Sequence, residues 1–288
     1  MPQVKVAVVG AGVIGFSSAV CIAESLPNAA VTIIAEKFSP DTTSDGAAGI
    51  FFAAEFHEIP VERQRRWFKD SFNHLLQIAH SAQAPHAGVM LSSGCQIFKQ
   101  EPAVKRPFWA DLVIGQGDMS PSELQRFPEH GFGQVFTTLK CECSRYLPWL
   151  QHRFIKAGGV VEQRHVSSLN ELCGFDLIVN CSGLGSKALA DDSAVFPVRD
   201  TTGILERCKK LEPSLENAVV LSKWVGLRPS RKCPRVERGV MKTKGKNIPV
   251  VHNYGHGGWG VTLAWGCAVD TLGLVTQSLR DIRPVAKL

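Results

Sequence analysis

The sequence predicts an α/β fold: a Rossmann-type dinucleotide-binding domain interleaved with a smaller, shortened α+β lobe. Three observations predict it. A charge-free run over residues 6–23 carries three glycines as Gly10-Ala11-Gly12-Val13-Ile14-Gly15, between an apolar strand and a helix. An acidic residue, Glu36, closes the next strand, 21 residues after Gly15. Strand and helix patterns then alternate along the 288 residues, with no repeat, low-complexity tract or obvious linker.

Element by element, residues 5–9 read as an apolar strand and residues 12–26 as a helix stopped by Pro27. Residues 31–35 read as the second strand. Residues 39–49, rich in Ser, Thr, Asp, Gly and Ala, read as a loop. Val61–Ala79 is a helix by periodicity, with Trp67, Phe68, Phe72, Leu75, Leu76 and Ala79 along one face. Residues 92–98 and 112–115 are strand-like. Ser120-Pro121-Ser122-Glu123 starts a helix, with Ser at the N-cap, Pro at the first position and Glu at the third. A helix over residues 145–157 is capped by Gly158. Residues 160–166 and 176–180 are strands, the latter running into Asn180-Cys181-Ser182-Gly183, and a last helix covers residues 266–280. The dinucleotide domain is expected over residues 1–55, 135–190 and 225–288. The smaller lobe is expected over residues 56–134 and 191–224.

Composition excludes several classes. With 44% hydrophobic and 20% charged residues the chain is neither fibrous nor disordered. The net charge of +6 comes from scattered Lys and Arg without a nucleic-acid motif, so no nucleic-acid partner is expected. At most it gives a mild positive field for anionic substrates. Nine cysteines without framework spacing fit thiols in a reducing compartment, and no metal site is expected. The charge-free run is long enough for a membrane helix. Its glycine spacing, followed by Glu24 and Asn28, instead assigns it to a buried strand and helix, and no membrane span is expected.

The glycine spacing has a physical reason. Gly10 allows the tight turn, Gly12 lets a pyrophosphate approach the backbone, and Gly15 lets helix and strand pack closely. The helix N-terminus offers unpaired N–H groups and partial positive charge. Glu36 can accept the ribose hydroxyls of an adenosine. This fingerprint argues against NADP but leaves NAD and FAD open.

Three further segments bear on that choice: Thr42-Thr43-Ser44-Asp45-Gly46-Ala47-Ala48-Gly49, Val225-Gly226-Leu227-Arg228-Pro229, and Val250-Val251-His252-Asn253-Tyr254-Gly255-His256-Gly257-Gly258-Trp259-Gly260. Together they resemble the D-amino-acid oxidase family of flavoproteins. Residues 136–143 and 146–150, with Asp41–Asp45 and Phe196-Pro197-Val198-Arg199, look more like the branch that acts on D-aspartate than the branch for neutral substrates.

The resemblance implies FAD as cofactor. It places Gly10, Ala11, Gly12 and Gly15 at the pyrophosphate, and Glu36 and Lys37 at the adenosine ribose, where the family usually has Asp for Glu36. It puts Thr43 and Ser44 at the phosphates, Gly49 and Ile50 near the flavin ring, and Val166 at the adenine, with Ser182 a further cofactor contact. Gly257, Gly258, Val261 and Thr262 would face the isoalloxazine, where a planar ring needs backbone N–H groups with no Cβ in the way. Thr262 would donate to a ring carbonyl. Arg228 would grip the substrate carboxylate bidentately, beside Gly258.

The family pattern is broken after Arg199. The chain passes at once to Asp200-Thr201-Thr202-Gly203-Ile204-Leu205-Glu206-Arg207-Cys208, which matches a later family helix, so about fifty residues are absent. The resemblance places a substrate tyrosine and a basic side-chain contact in that gap. Tyr146 and Tyr254 are the two tyrosines of the chain, and neither replaces it. Ala53-Ala54 stands where the aspartate-oxidising branch has Pro-His, and His57 is out of register. Lost strands would expose apolar faces and new edges.

The implied activity is oxidation of an acidic D-amino acid to a 2-oxo acid, ammonia and hydrogen peroxide, by hydride transfer to flavin and reoxidation by molecular oxygen. No side-chain acid or base is assigned, and His252 and His256 are expected to be structural. The alternative is a catalytically impaired flavin-binding variant. An NAD-dependent dehydrogenase is disfavoured by the 252–260 signature. Ala286-Lys287-Leu288 resembles a peroxisomal address, so an import receptor is an expected partner and the peroxisomal matrix the expected location, with cytosol as fallback. A homo-oligomer is left open.

Overall fold

A computed structural model describes residues 3–199, 203–243 and 245–282. The Ala286-Lys287-Leu288 expectation and the Asp200–Thr202 junction lie outside them. Strand β1 (Val4–Val9) leads through helix α1 (Val13–Ser25) to β2 (Ala29–Ala35). Helix α2 (Val61–Ala79) and the single-turn α3 (Ala84–Ala87) precede β3 (Val89–Phe98), β4 (Ile114–Asp118) and the single-turn α4 (Pro121–Leu124). Strand β5 (Phe132–Cys141), helix α5 (Cys143–Lys156), β6 (Val160–Gln163) and β7 (Leu177–Asn180) follow. Then come α6 (Ser186–Leu189), β8 (Phe196–Val198), α7 (Ile204–Leu211), β9 (Arg228–Lys242), β10 (Asn247–His256) and α8 (Gly260–Ile282).

The main sheet has seven strands in the order β6-β2-β1-β7-β10-β9-β8. Its first five are parallel neighbours, and β9 pairs antiparallel with both β10 and β8. The β1–α1–β2 crossover makes the Rossmann unit. Strands β1 and β7 are apolar on both faces because helices cover one side and residues 166–172 the other. The fold class is as the sequence predicts.

Helix α8 is apolar and long enough to cross a membrane by composition. In the fold its Leu263, Ala264, Cys267 and Val275 are buried in the core against α1 and α2. Gly266 is forced there, because a Cβ would overlap the backbone of Trp67.

A second sheet, β3-β5-β4, carries the smaller lobe. Phe51, Phe68, Phe72, Trp109 and Phe136 fill the space between it and α2. Residues 49–51 join the two lobes by pairing with β5: Phe51 N donates to Leu139 O and Cys141 N donates to Gly49 O, both at 2.9 Å.

Several expectations shift. The capping box at Ser120 forms as read, with Ser120 and Glu123 side chains each capping the other's backbone, but the helix ends after one turn at Leu124. Pro128 follows closely and disfavours continuation. The strand expected over 112–115 lies at Ile114–Asp118, and the strand expected over 160–166 ends at Gln163. The last helix begins at Gly260, one and a half turns earlier than expected. Four strands went unread: β5, β8, β9 and β10.

Candidate functional site

A large cleft crosses the carboxyl ends of β1, β2 and β7, as ligand sites of open α/β sheets do, and continues to the start of β9. Its volume is about 960 Å³. At one end lies the glycine turn. Gly10 has φ +107°, and a Cβ on it would overlap the Cys181 carbonyl. Gly12 caps α1 without a side chain, leaving the first helical amides facing the cleft. One of them, Val13 N–H, donates to Ser44 Oγ at 3.0 Å, which fixes the 42–48 loop over the helix end. Thr43 and Ala11 line the same wall.

Gly15 is placed differently from the other glycines. It does not line the cleft but packs behind it, where a Cβ would overlap the Gly10 carbonyl. Its role here is the close helix–strand approach, not contact with a ligand.

Glu36 and Lys37 lie where β2 ends. The Glu36 carboxylate is exposed, 3.1 Å from His165 Nδ1. Val166 lines the cleft beside them and is buried. Across the cleft, Ser182 follows β7. Its hydroxyl donates to Asn180 Oδ1 at 2.7 Å, so the tight 180–183 turn is held by side chains.

The far end is formed by Gly49, Ile50, Arg228 and the turn before α8. Gly49 has φ +66° and touches the Cys141 carbonyl, so no other residue fits without strain. Gly257 has φ +58°, and Gly258 faces Arg228, with a Cβ position 3.9 Å from Arg228 Cδ. Val261 and Thr262 open α8, whose N-terminus presents the positive end of a 23-residue helix to the cleft. Thr262 lines the cleft as well, and its buried hydroxyl donates to Phe52 O at 3.3 Å. Arg228 is exposed at the start of β9, and its guanidinium makes no hydrogen bond or ion pair among the described residues.

The histidines of the glycine-rich stretch are structural. His252 is buried and within 3.5 Å of Asn180 Nδ2, and burial, with Arg235 nearby, lowers its pKa to about 4. Burial alone lowers that of His256 to about 3. Tyr254 borders the cleft, but its hydroxyl is occupied: it donates to Asp192 Oδ2 at 2.7 Å and accepts from Arg235 at 2.8 Å. Burial pushes the Asp192 carboxyl up, yet the Tyr254 bond and the neighbouring Arg231 and Arg235 leave it below the usual carboxylate value. This cluster joins the approach to β8 with β9 and β10. The sequence carries no local signal for it, since its members lie up to 62 residues apart.

The site fits an extended dinucleotide with a planar ring system. Gly10 and Gly49 line the site in backbone conformations that leave no room for a side chain, two helix N-termini face the ends, and a cation without a partner among the described residues stands past the ring end. The comparisons agree. The profile of the DAO family, FAD dependent oxidoreductases, matches residues 5–202 and 190–271. D-aspartate oxidase of Homo sapiens is 42% identical over 338 positions, covering 100% of this chain and 99% of the relative. D-amino acid oxidase of Dugesia ryukyuensis is 31% identical, covering 98% and 99%. Among solved structures, glycine oxidase from Geobacillus kaustophilus superposes with a TM-score of 0.72 at 16% identity, over 96% of this chain and 95% of that one. The FAD-bound L-alpha-glycerophosphate oxidase from Mycoplasma pneumoniae superposes with 0.68 at 13%, over 96% and 95%.

The human alignment spans 338 positions against 288 residues here, so about fifty positions of that relative have no counterpart in this chain. The two profile matches meet over residues 190–202, which puts the break next to Arg199. In the structure the following stretch is left uncovered: Val219 is 81% exposed and Leu221 94%. On these grounds the chain, although shortened after Arg199, belongs to the DAO family of FAD-dependent oxidoreductases, and its cofactor is FAD.

Proposed function

We propose that the protein oxidises an acidic D-amino acid, D-aspartate, with Arg228 as the carboxylate anchor. One observation carries the reading: an exposed guanidinium, without a hydrogen bond or ion pair among the described residues, at the ring end of a dinucleotide cleft, flanked by Gly258. Similarity to D-aspartate oxidase supports the choice of substrate.

The residues divide the work. Gly10, Ala11 and Gly12, with the α1 N-terminus, hold the pyrophosphate, helped by Thr43 and Ser44. Glu36 and Lys37 take the ribose, and Val166 and Ser182 complete that half. Gly49, Ile50, Gly257, Gly258 and Val261 hold the ring, with Thr262 shaping the α8 end through Phe52. FAD, when bound, accepts the substrate hydride and passes its electrons to oxygen, giving hydrogen peroxide. Arg228 holds the α-carboxylate so that Cα–H is presented to the ring rather than to solvent. No side chain takes a proton, because an amine that arrives neutral needs none. We further propose that residues 1–55, 135–190 and 225–288 act as the cofactor domain, with residues 56–134 and 191–224 as the substrate lobe, except that β5 belongs to the sheet of the smaller lobe and β8 to the main sheet.

The test is the visible spectrum of the purified protein before and after D-aspartate without oxygen. Flavin bands that bleach are the expected result. Bands that persist would overturn the turnover reading and favour a second one, a flavin-binding protein without activity. The exposed 219–221 stretch is the observation that favours this alternative.

A further inference from the structure

We infer that Trp224 is a cofactor-retaining residue: it clasps the segment before Arg228 onto the phosphate-binding loop and so slows the release of FAD. The inference rests on the FAD site described above. The key contact is a ring seated against two glycines. A Cβ at Gly46 would overlap the six-membered ring of Trp224, 2.0 Å from Cζ3, and a Cβ at Gly226 would overlap the same ring, 2.2 Å from Cη2. Two positions 180 residues apart in sequence are therefore both required to lack a side chain for one indole to seat. A second tie lies three residues on, where Thr43 Oγ1 donates to Leu227 O at 3.3 Å.

Both ties land on the same loop. Thr43 and Ser44 line the cleft, and Ser44 Oγ holds the first amide of α1. Residues 217–227 contain no helix or strand, so little besides these two contacts fixes them. Trp224 itself stays 53% exposed, and Val225 55%. An aromatic ring of this size left half in water is not there for the core. What it covers is Gly46, in the wall where the diphosphate is expected. Opening the clasp removes a contact shared by the 42–48 loop and the segment carrying Arg228, so the cofactor and the substrate anchor are coupled through one side chain.

The coupling makes a specific demand on a double-mutant cycle. Trp224→Ala removes the ring, and Gly46→Ala expels it by steric overlap. Each alone is expected to raise the FAD dissociation rate by about tenfold, and Trp224→Ala with Gly46→Ala together by no more than either alone, because the added methyl then meets empty space. The rate is read by the rise in FAD fluorescence when purified holoprotein is diluted so far that released FAD does not rebind, with far-UV circular dichroism confirming that each variant is folded. Trp224→Phe should recover most of the retention. A Trp224→Ala rate within twofold of the parent, or additive effects in the cycle, would overturn the inference while leaving the FAD site intact. A parent protein that purifies without flavin and takes none up would overturn the cofactor reading, and this inference with it.

Discussion

Replacing Arg228 by Ala removes the one group assigned to the substrate carboxylate. A bidentate guanidinium–carboxylate pair makes two charge-assisted hydrogen bonds, each worth about 1.5–3 kcal/mol. Arg228 is exposed at the start of β9, so water competes for both partners and the lower end of the range applies. About 3 kcal/mol corresponds to roughly a hundredfold loss in kcat/KM. Arg228→Lys keeps the charge and loses the fork, and should fall between, at about tenfold. The assay is peroxide release with D-aspartate, run beside the flavin absorbance of the same preparation. Because Arg228 makes no hydrogen bond or ion pair with the described residues, the substitution strands no partner, and bound flavin should be unchanged. An Arg228→Ala variant that holds flavin and retains activity within threefold of the parent would refute the assignment.

Three other outcomes follow from the same coordinates. Gly15→Ala should cost several kcal/mol of stability without touching the ligand, since its Cβ would overlap the Gly10 carbonyl; a denaturant midpoint unchanged from the parent would contradict the packing. Acid should destabilise the fold through His252 and His256, whose folded pKa values of about 4 and about 3 lie below the ordinary 6.5. Both are neutral in the folded protein while the unfolded chain takes up protons, so stability is complete above pH 6.5 and is lost as pH falls toward 4. Each contributes a loss of about 2 kcal/mol by pH 5, and equal urea midpoints at pH 7 and pH 5 would count against it. Asp192→Asn should destabilise by about 2 kcal/mol, less than a fully buried pair, because Arg231 and Arg235 keep 19% and 25% side-chain exposure. Thermal melts of the apo and flavin-loaded forms check it, and no shift in either would show the cluster to be idle.

The legible parts of the chain were those whose signal is local. The Gly10–Gly15 turn, the apolar strands around it and the periodic Val61–Ala79 helix each announce themselves within a short window, and the structure has them at those positions. Strand β9 did not. Its residues 228–242 hold six Arg or Lys and two prolines, a composition that argues against a strand. Beyond β8, however, β9 is a sheet edge, where prolines and charges are tolerated because one side faces water. Strand β10 was hidden for the opposite reason: it is buried along nearly its whole length, so its glycine-rich motif drew attention away from its conformation. The site residues were placed through the family resemblance. What it did not supply were contacts peculiar to this chain, such as the clasp of Trp224 against Gly46 and Gly226, which becomes visible only when the two loops meet.

The break after Arg199 falls on one half of the molecule, and the sheet order explains why the other half can persist. Strand β8 still pairs with β9 through Phe196↔Ser230, Pro197↔Pro229 and Val198↔Arg228, immediately before the break. Four residues upstream of this pairing region lies Asp192, where Tyr254 of β10 and the arginines of β9 converge on one carboxylate. The chain is therefore anchored on its upstream side by three strands before it leaves the sheet, and on its downstream side by Arg228 at the start of β9. The parallel strands that carry the glycine turn, Glu36 and Ser182 lie further along the same sheet and share no hydrogen bond with β8. Cofactor binding draws on those strands; substrate selection draws on the lobe that has lost its cover. Arg228 is assigned to the α-carboxylate and not to the acidic side chain, and the Trp224 contact ties the segment that carries it to the phosphate-binding loop, so the two properties meet at that loop.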